Sequence, residues 1–163
     1  MYLGEWLWSF VHAVSWSVYL GGALVMEFVW RPAQDAMPPS QIAVACQWMG
    51  RRYRWVSLTA LLCIGASGAA RLDDVPDLGS GQGRLEVVAV LLWVVLLALL
   101  GLVAMVAHPA LHVRTPATMS EEDRAAAREQ VRRAIHRMDV LLRLELAVAL
   151  GALLAGVVLN TSS

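Results

Sequence analysis

The sequence predicts an all-α fold: an integral membrane, four-helix antiparallel bundle with both termini outside the cytoplasm and a cytoplasmic extension of the fourth helix. Hydrophobic residues make up 58% of the 163 residues, which is too large a share for a soluble domain of this length. Four stretches approach or exceed the roughly 20 apolar residues that cross a bilayer. These spans are about 3–30, 53–70, 85–107 and 139–159. Short links make consecutive spans antiparallel, and the whole chain, 1–163, forms one domain.

The distribution of arginine predicts the orientation of these spans. The basic residues number 13, all of them arginine, and most lie in two connections. Arg31, Arg51, Arg52 and Arg54 lie between the first and second spans, and Arg114, Arg124, Arg128, Arg132, Arg133 and Arg137 lie between the third and fourth. The loop between the second and third spans has only Arg71 and Arg84, diluted by aspartates. The positive-inside rule therefore places the two basic connections in the cytoplasm of a bacterial-type inner membrane.

Each span has its own local signals. The first carries Glu5 where a signal peptide would carry positive charge, so we interpret it as a permanent helix. Prolines precede residues 40–53, where apolar residues recur at helical spacing beside arginines. We expect a helix over about 40–53 on the inner membrane surface that leads into the second span. A Gly-, Asp- and Pro-rich connector at 73–83 precedes the third span.

The fourth helix is predicted to begin in the cytoplasm, after Ser120. Ser120 and the acidic residues that follow it form a helix start, and nothing interrupts the helix before the last span. The extension carries Arg124, Arg128 and Arg132 at four-residue spacing. This stripe is either a solvated or lipid-headgroup face, or a surface that docks a membrane or cytoplasmic protein partner.

His12 is the first candidate site residue because it lies inside an apolar span. An uncompensated polar side chain costs several kcal/mol in hydrocarbon, so such a histidine is a candidate ligand or hydrogen-bonded core residue. Tyr19 and Met26 follow at seven-residue spacing and share its face. Imidazole, aromatic ring and thioether together suit haem or a soft metal. The residue that would complete the site is left open.

A second set of titratable residues lies near the predicted inner surface. His108 and His112 have the i, i+4 spacing of metal ligands, and the alternative is that both are ordinary interfacial side chains. Roughly two thirds of the membrane separates His12 from His108, so the two cannot bind one metal. Glu145 lies about 9 Å inside the inner edge of the membrane and cannot reach the interface, so we expect it to face the bundle. His136 is nine residues away on the same helix and therefore on the opposite side, facing outward.

Several short motifs resemble the membrane domain of the copper-resistance D (CopD) family. They are His12 followed by Tyr19-Leu20-Gly21-Gly22, Arg52-Tyr53-Arg54-Trp55-Val56-Ser57, Ala66-Ser67-Gly68, Gly83-Arg84-Leu85, Leu142-Arg143-Leu144-Glu145 and the terminal Asn160-Thr161-Ser162-Ser163. HemJ-like protoporphyrinogen oxidases, a related set that binds haem b, share the early histidine. Both families usually carry a lysine near the start of the third helix, and this chain has none.

The resemblance implies metal binding through His12, as copper handling or transport or as b-type haem binding, with Tyr19 and Met26 lining the site. A HemJ-like membrane oxidoreductase or electron-transfer haem protein is one alternative, although the missing lysine weakens it. Another is a non-catalytic membrane subunit or scaffold that docks a partner through the arginine-rich helix. The sequence identifies no catalytic residue, substrate or oligomeric state, and nothing in it points to nucleic acid.

Overall fold

The described part of the chain is helical. The computed structural model describes residues 3–71, 78–110 and 120–162, and these contain helices and no strand. Four helices are long: α1 (Leu3–Val25), α3 (Pro39–Ala69), α4 (Gly81–Ala110) and α5 (Glu121–Ser162). Between α1 and α3 lie a π-helical turn, Met26–Trp30, and the short α2, Arg31–Asp35. The all-α prediction is confirmed.

The helical run that begins with α1 extends beyond its predicted end at residue 30. Pro32 lies in the first turn of α2, and because the helix continues into it from α1, its missing N–H leaves a carbonyl of the preceding turn without its usual partner. The π-helical turn comes directly before it, and such turns often accompany local irregularities in long helices. The chain therefore continues to Asp35 before it turns back.

The predicted surface helix at 40–53 is not separate from the second span. Both belong to α3, a single helix of 31 residues from Pro39 to Ala69. Pro39 fits its first turn, and no proline follows within the helix to break it. The predicted boundary at residue 53 is therefore absent from the structure.

The predicted start of the last helix is confirmed. The Asp123 backbone N–H donates to Ser120 Oγ at 3.1 Å, and the Ser120 hydroxyl donates to Asp123 Oδ2 at 2.6 Å. These bonds satisfy an otherwise unpaired amide at the helix N-terminus. From Glu121, α5 runs unbroken for 42 residues.

Three helical runs are long and apolar enough to cross a membrane, judged by length and composition among the described residues. They are Trp6–Asp35, Gly81–Met105 and Glu121–Leu159. Many large apolar side chains face outward, including Phe28 (68% exposed) and Leu154 (66% exposed). Such a surface is unfavourable in water and favourable against lipid tails. α3 is absent from this set, and it carries Arg51, Arg52 and Arg54.

The four long helices contribute to one apolar core. α1 packs on α3, α4 packs on α5, and smaller contacts join α3 to α4 and α1 to α5. Residues early in α1 meet residues late in α3, and Gly22, late in α1, meets Tyr53, so α1 and α3 are antiparallel. The core residues are Tyr19, Ala60, Leu61, Ile64, Leu96, Leu100 and Ala149. Polar groups placed in this core are therefore surrounded by packed helices.

Candidate functional site

His12 lies between α1 and α3 and uses both of its ring nitrogens. Its Nδ1 is 2.9 Å from Ser67 Oγ, and the indole Nε1–H of Trp16 donates to its Nε2 at 3.1 Å. An indole N–H can only donate, so Nε2 must carry the lone pair. In the neutral ring the proton is then on Nδ1, which donates to Ser67. The network assigns one tautomer to the imidazole.

Ser67 can accept a hydrogen bond from the ring because its own hydroxyl proton is donated elsewhere. It is fully buried, and its hydroxyl donates to the Cys63 carbonyl one turn earlier in α3 at 2.5 Å. Its oxygen therefore faces Nδ1–H as an acceptor. Gly68 borders the ring, since a Cβ there would lie 3.7 Å from His12 Cε1, an ordinary contact distance. Ser67 and Gly68 thus form the α3 side of the His12 site.

Trp16 connects His12 to a second polar cluster. Its ring meets the imidazole edge-to-face, with centroids 6.5 Å apart, and meets the Tyr19 ring in the same way at 6.2 Å. Edge-to-face contacts at these distances are favourable between aromatic rings. His12 and Tyr19 are thus joined through one indole, as their shared helix face predicted, although they do not contact a common polar atom.

Glu145 is the centre of this second cluster. It is 0% exposed, which confirms that it faces the interior, and the Tyr19 hydroxyl donates to its Oε1 at 2.6 Å. This short bond joins α1 to α5 across 126 positions of sequence. Its length is typical of a strong O–H···O hydrogen bond. The acid is therefore tied to the core by a phenol from another helix.

Tyr53 of α3 faces the same carboxyl group. Its ring lies against Gly22, where a Cβ would be 3.4 Å away, and its hydroxyl interacts electrostatically with Glu145. The Tyr53 hydroxyl lies close enough to Glu145 and to Ser57 to interact with both, but among the described residues neither it nor Glu145 Oε2 makes a hydrogen bond of regular geometry. Buried polar atoms in a packed core normally have partners, and here the phenol and the second carboxyl oxygen face one another.

A network of four charges lies further along the same helices. Arg31 contacts Glu27 Oε1 at 2.8 Å and Asp139 Oδ2 at 2.9 Å, and Arg143 contacts Glu27 Oε1 at 3.1 Å. Glu27 and Asp139 are therefore both neutralised by arginine. This arrangement ties the end of the first helical run to α5. It leaves these carboxylates engaged with guanidinium groups rather than free for a metal.

Met26 shares a helix face with His12 but lies at a different level along the helix. Met26 is buried, but 14 residues separate it from His12, which is roughly 21 Å along a helix at 1.5 Å per residue. Shared helix phase places the two on one face and says nothing about their distance along the axis. Met26 therefore cannot bind a metal held by His12.

The second predicted metal pair cannot be located. The side chain of His108 and all of His112 lie outside the described part of the chain. Within that part, no group of three or more His, Cys, Asp or Glu side chains has metal-site geometry. His136 is exposed on α5, as expected from its opposition to Glu145.

The arginine stripe of α5 is partly neutralised by its own helix. Arg124 pairs with Glu121 at 2.7 Å, and Arg132 and Arg133 both pair with Glu129, at 2.7 and 3.4 Å. The side chain of Arg128 lies outside the described part of the structure. Exposed pairs of this kind contribute little to stability, and they reduce the net charge that the stripe presents to a partner.

Comparison of the chain with protein-family models, with curated proteins and with solved structures finds no match. Neither the CopD-like nor the HemJ-like resemblance gains or loses support from this result. What the His12 site can bind must therefore follow from its own geometry.

Proposed function

We propose that this chain is a CopD-like membrane protein of the bacterial-type inner membrane that binds b-type haem through His12. In this proposal all four long helices cross the bilayer as an antiparallel bundle with both termini outside. The three membrane-capable runs and the antiparallel contact of α3 with α1 support it. His12 is then about 12 Å from the outer surface, and Arg51, Arg52 and Arg54 in the middle of α3 are near the cytoplasmic surface.

The observation that carries the proposal is the tautomer of the His12 imidazole and the partners of its two nitrogens. Ser67 holds Nδ1–H, and the lone pair of Nε2 points at a single donor, the Trp16 indole. Metal-binding histidines usually donate the other ring N–H to an oriented acceptor, which fixes the tautomer and the ring plane. Because Trp16 is on the same helix as His12, its side chain can rotate away without separating α1 from α3.

Haem fits this donor set better than copper does. A haem iron needs only one axial protein ligand, and His12 supplies it. Copper(I) is usually held by several soft or imidazole ligands, and Met26 is too distant to assist. Bound haem would supply one-electron redox chemistry. His12 would bind it, Ser67 would orient the ring, and the apolar core would exclude water.

One observation favours a different function. Both His12 nitrogens already have partners, and the Ser67 bond joins α1 to α3, so the imidazole can be a structural bridge. The protein would then be a non-catalytic membrane subunit or scaffold. Its partner would dock on the α5 extension, through Arg124, Arg128 and Arg132.

An absorption spectrum with iron and copper analysis on the detergent-purified protein separates these functions. We expect a Soret band in the wild type, its loss in His12→Ala, and its retention in His136→Ala, which removes an exposed histidine from α5. Thermal melting confirms that each variant is folded, and His12→Gln replaces His12→Ala if the latter unfolds.

Three outcomes would overturn the haem proposal. Stoichiometric copper without a Soret band would mean copper handling. A colourless and metal-free wild type from haem-supplied cells would favour the scaffold. A Soret band that survives in folded His12→Ala would place the haem ligand elsewhere.

A further inference from the structure

One face of α3 combines exposed arginine with exposed tryptophan. Trp48, Arg51, Arg52 and Trp55 lie at i, i+3, i+4 and i+7 and share a face of the helix; we call them the α3 arginine face. Trp48 is 64% exposed and Trp55 is 61% exposed, and both arginines are exposed. This face therefore points away from the other helices.

The arginines of this face lack the carboxylate partner that five other arginines of the described residues have. Arg31, Arg124, Arg132, Arg133 and Arg143 each pair with a carboxylate. Arg51 and Arg52 have no carboxylate within ion-pairing distance among the described residues, and the Arg52 guanidinium instead lies 5.6 Å from the Trp48 ring centroid. The face thus presents two positive charges without an anionic partner from the described chain.

The position of the face matches a membrane interface. The adjacent Tyr53 packs against Gly22 of α1, only five residues before Glu27 and its charge network. One and two turns beyond Trp55, the same side of α3 carries exposed Thr59 and Leu62. Tryptophan is enriched where headgroups meet acyl chains. Leu62 then lies where an acyl chain would run.

From this arrangement we propose that the α3 arginine face binds the headgroup of an anionic phospholipid. Guanidinium groups form paired, charge-assisted hydrogen bonds to phosphate oxygens, so Arg51 and Arg52 contact the phosphate. The Trp48 ring holds the Arg52 guanidinium in place, and Trp55 lies beside the part of the acyl chain nearest the headgroup. The ligand comes from the bilayer, and the site is independent of haem binding at His12.

Native mass spectrometry of the full chain tests the site. The detergent-purified protein is titrated with phosphatidylglycerol and, separately, with phosphatidylcholine, and the lipid-bound fraction is measured. The variant Arg51→Gln with Arg52→Gln is compared with Arg132→Gln and Arg133→Gln, a matched pair whose guanidinium groups already contact Glu129. Thermal melting shows that both variants are folded.

We expect the wild type and the α5 variant to prefer phosphatidylglycerol, and the α3 variant to bind it roughly tenfold or more weakly, since each arginine near an anionic surface contributes about 1 kcal/mol. Phosphatidylcholine carries the same phosphate but a compensating choline cation, so it should bind the wild type more weakly than phosphatidylglycerol does and lose less affinity in the α3 variant. If the glutamine variant fails to fold, Arg51→Lys with Arg52→Lys keeps the charge, and weaker binding there reports the loss of paired hydrogen bonds.

Other results overturn the proposal. Equal losses in the α3 and α5 variants would mean a general effect of charge, and no preference in the wild type would mean no site. Displacement of the lipid by an equal concentration of soluble glycerol phosphate would mean a phosphate site that does not require a membrane lipid.

Discussion

The His12 cluster and the Glu145 cluster treat a buried titratable group in different ways. At His12 every ring nitrogen has a partner, and one of the two, Trp16, comes from the same helix. At Glu145 the partner of Oε1 is Tyr19, on a different helix, while Oε2 and the Tyr53 hydroxyl make no hydrogen bond of regular geometry in the described chain.

The comparison distinguishes a contact that a ligand can replace from a contact that holds two helices together. Replacing the Trp16 N–H by another partner of Nε2 breaks a hydrogen bond inside α1 and none between helices, although the indole also packs against the core. Breaking the bond between Tyr19 and Glu145 removes a hydrogen bond between α1 and α5 and leaves a buried phenol and a buried carboxyl group without it. Mutations at Glu145 should therefore act on stability, and mutations around His12 should act on ligand binding.

The largest effect is expected for Glu145→Ala. It removes the acceptor of the Tyr19 hydroxyl and opens a cavity, and we expect a loss of about 2–4 kcal/mol in the free energy of unfolding. Glu145→Gln keeps an amide oxygen for Tyr19 and should cost less, since hydrogen bonds between membrane helices average about 0.6 kcal/mol. Denaturation in detergent, followed by tryptophan fluorescence, measures both.

Two controls make the Glu145 result specific. Glu129→Ala removes an acid from the exposed part of the same helix and should change stability by less than about 0.5 kcal/mol. Tyr19→Phe, combined with Glu145→Gln in a double-mutant cycle, reports the coupling of the two groups. A Glu145→Ala protein as stable as the wild type would mean that the carboxyl group does not hold α1 to α5.

An intermediate effect, on ligand affinity, is expected for Ser67→Ala. Loss of the acceptor for Nδ1–H frees the ring to rotate and change tautomer, and removal of such an outer partner commonly lowers metal affinity 10–100-fold. Haem titration followed at the Soret band measures the change. Ser57→Ala removes another buried serine of α3 and should leave haem affinity unchanged. Equal haem affinity in Ser67→Ala and the wild type would contradict the role given to Ser67.

Sequence reasoning located the buried groups better than it located their partners. The apolar context of His12 and the depth of Glu145 were enough to predict that both face neighbouring helices. The contact of His12 with Trp16 follows an i, i+4 spacing that the sequence displays. Ser67 and Tyr19 could not be paired with their partners in this way, because helix periodicity gives the face of a residue and not the level at which another helix crosses it.

The same limit applies to two other expectations. Met26 shares the phase of His12 but lies four turns away, since periodicity repeats along the axis without limiting distance. The expectation of a surface segment at 40–53 rested on a change of polarity, and helix α3 passes through residue 53 because no residue there interrupts the backbone hydrogen bonds. A change of composition can mark a change of environment without marking the end of a helix.

A small effect on stability, together with a gain in haem affinity, is expected for Trp16→Phe, which tests whether a ligand can replace the indole contact at His12. The phenyl ring keeps the aromatic contact with Tyr19 but cannot donate to Nε2, so unfolding should change by only about 1 kcal/mol. Haem affinity should rise severalfold because the competing donor is gone. Trp93→Phe, which loses a bond to the Leu61 carbonyl at 2.8 Å between α4 and α3, should leave affinity unchanged. Weaker haem binding in Trp16→Phe would mean that the indole holds the ligand in place, and that the contact at His12 is as structural as the one at Glu145.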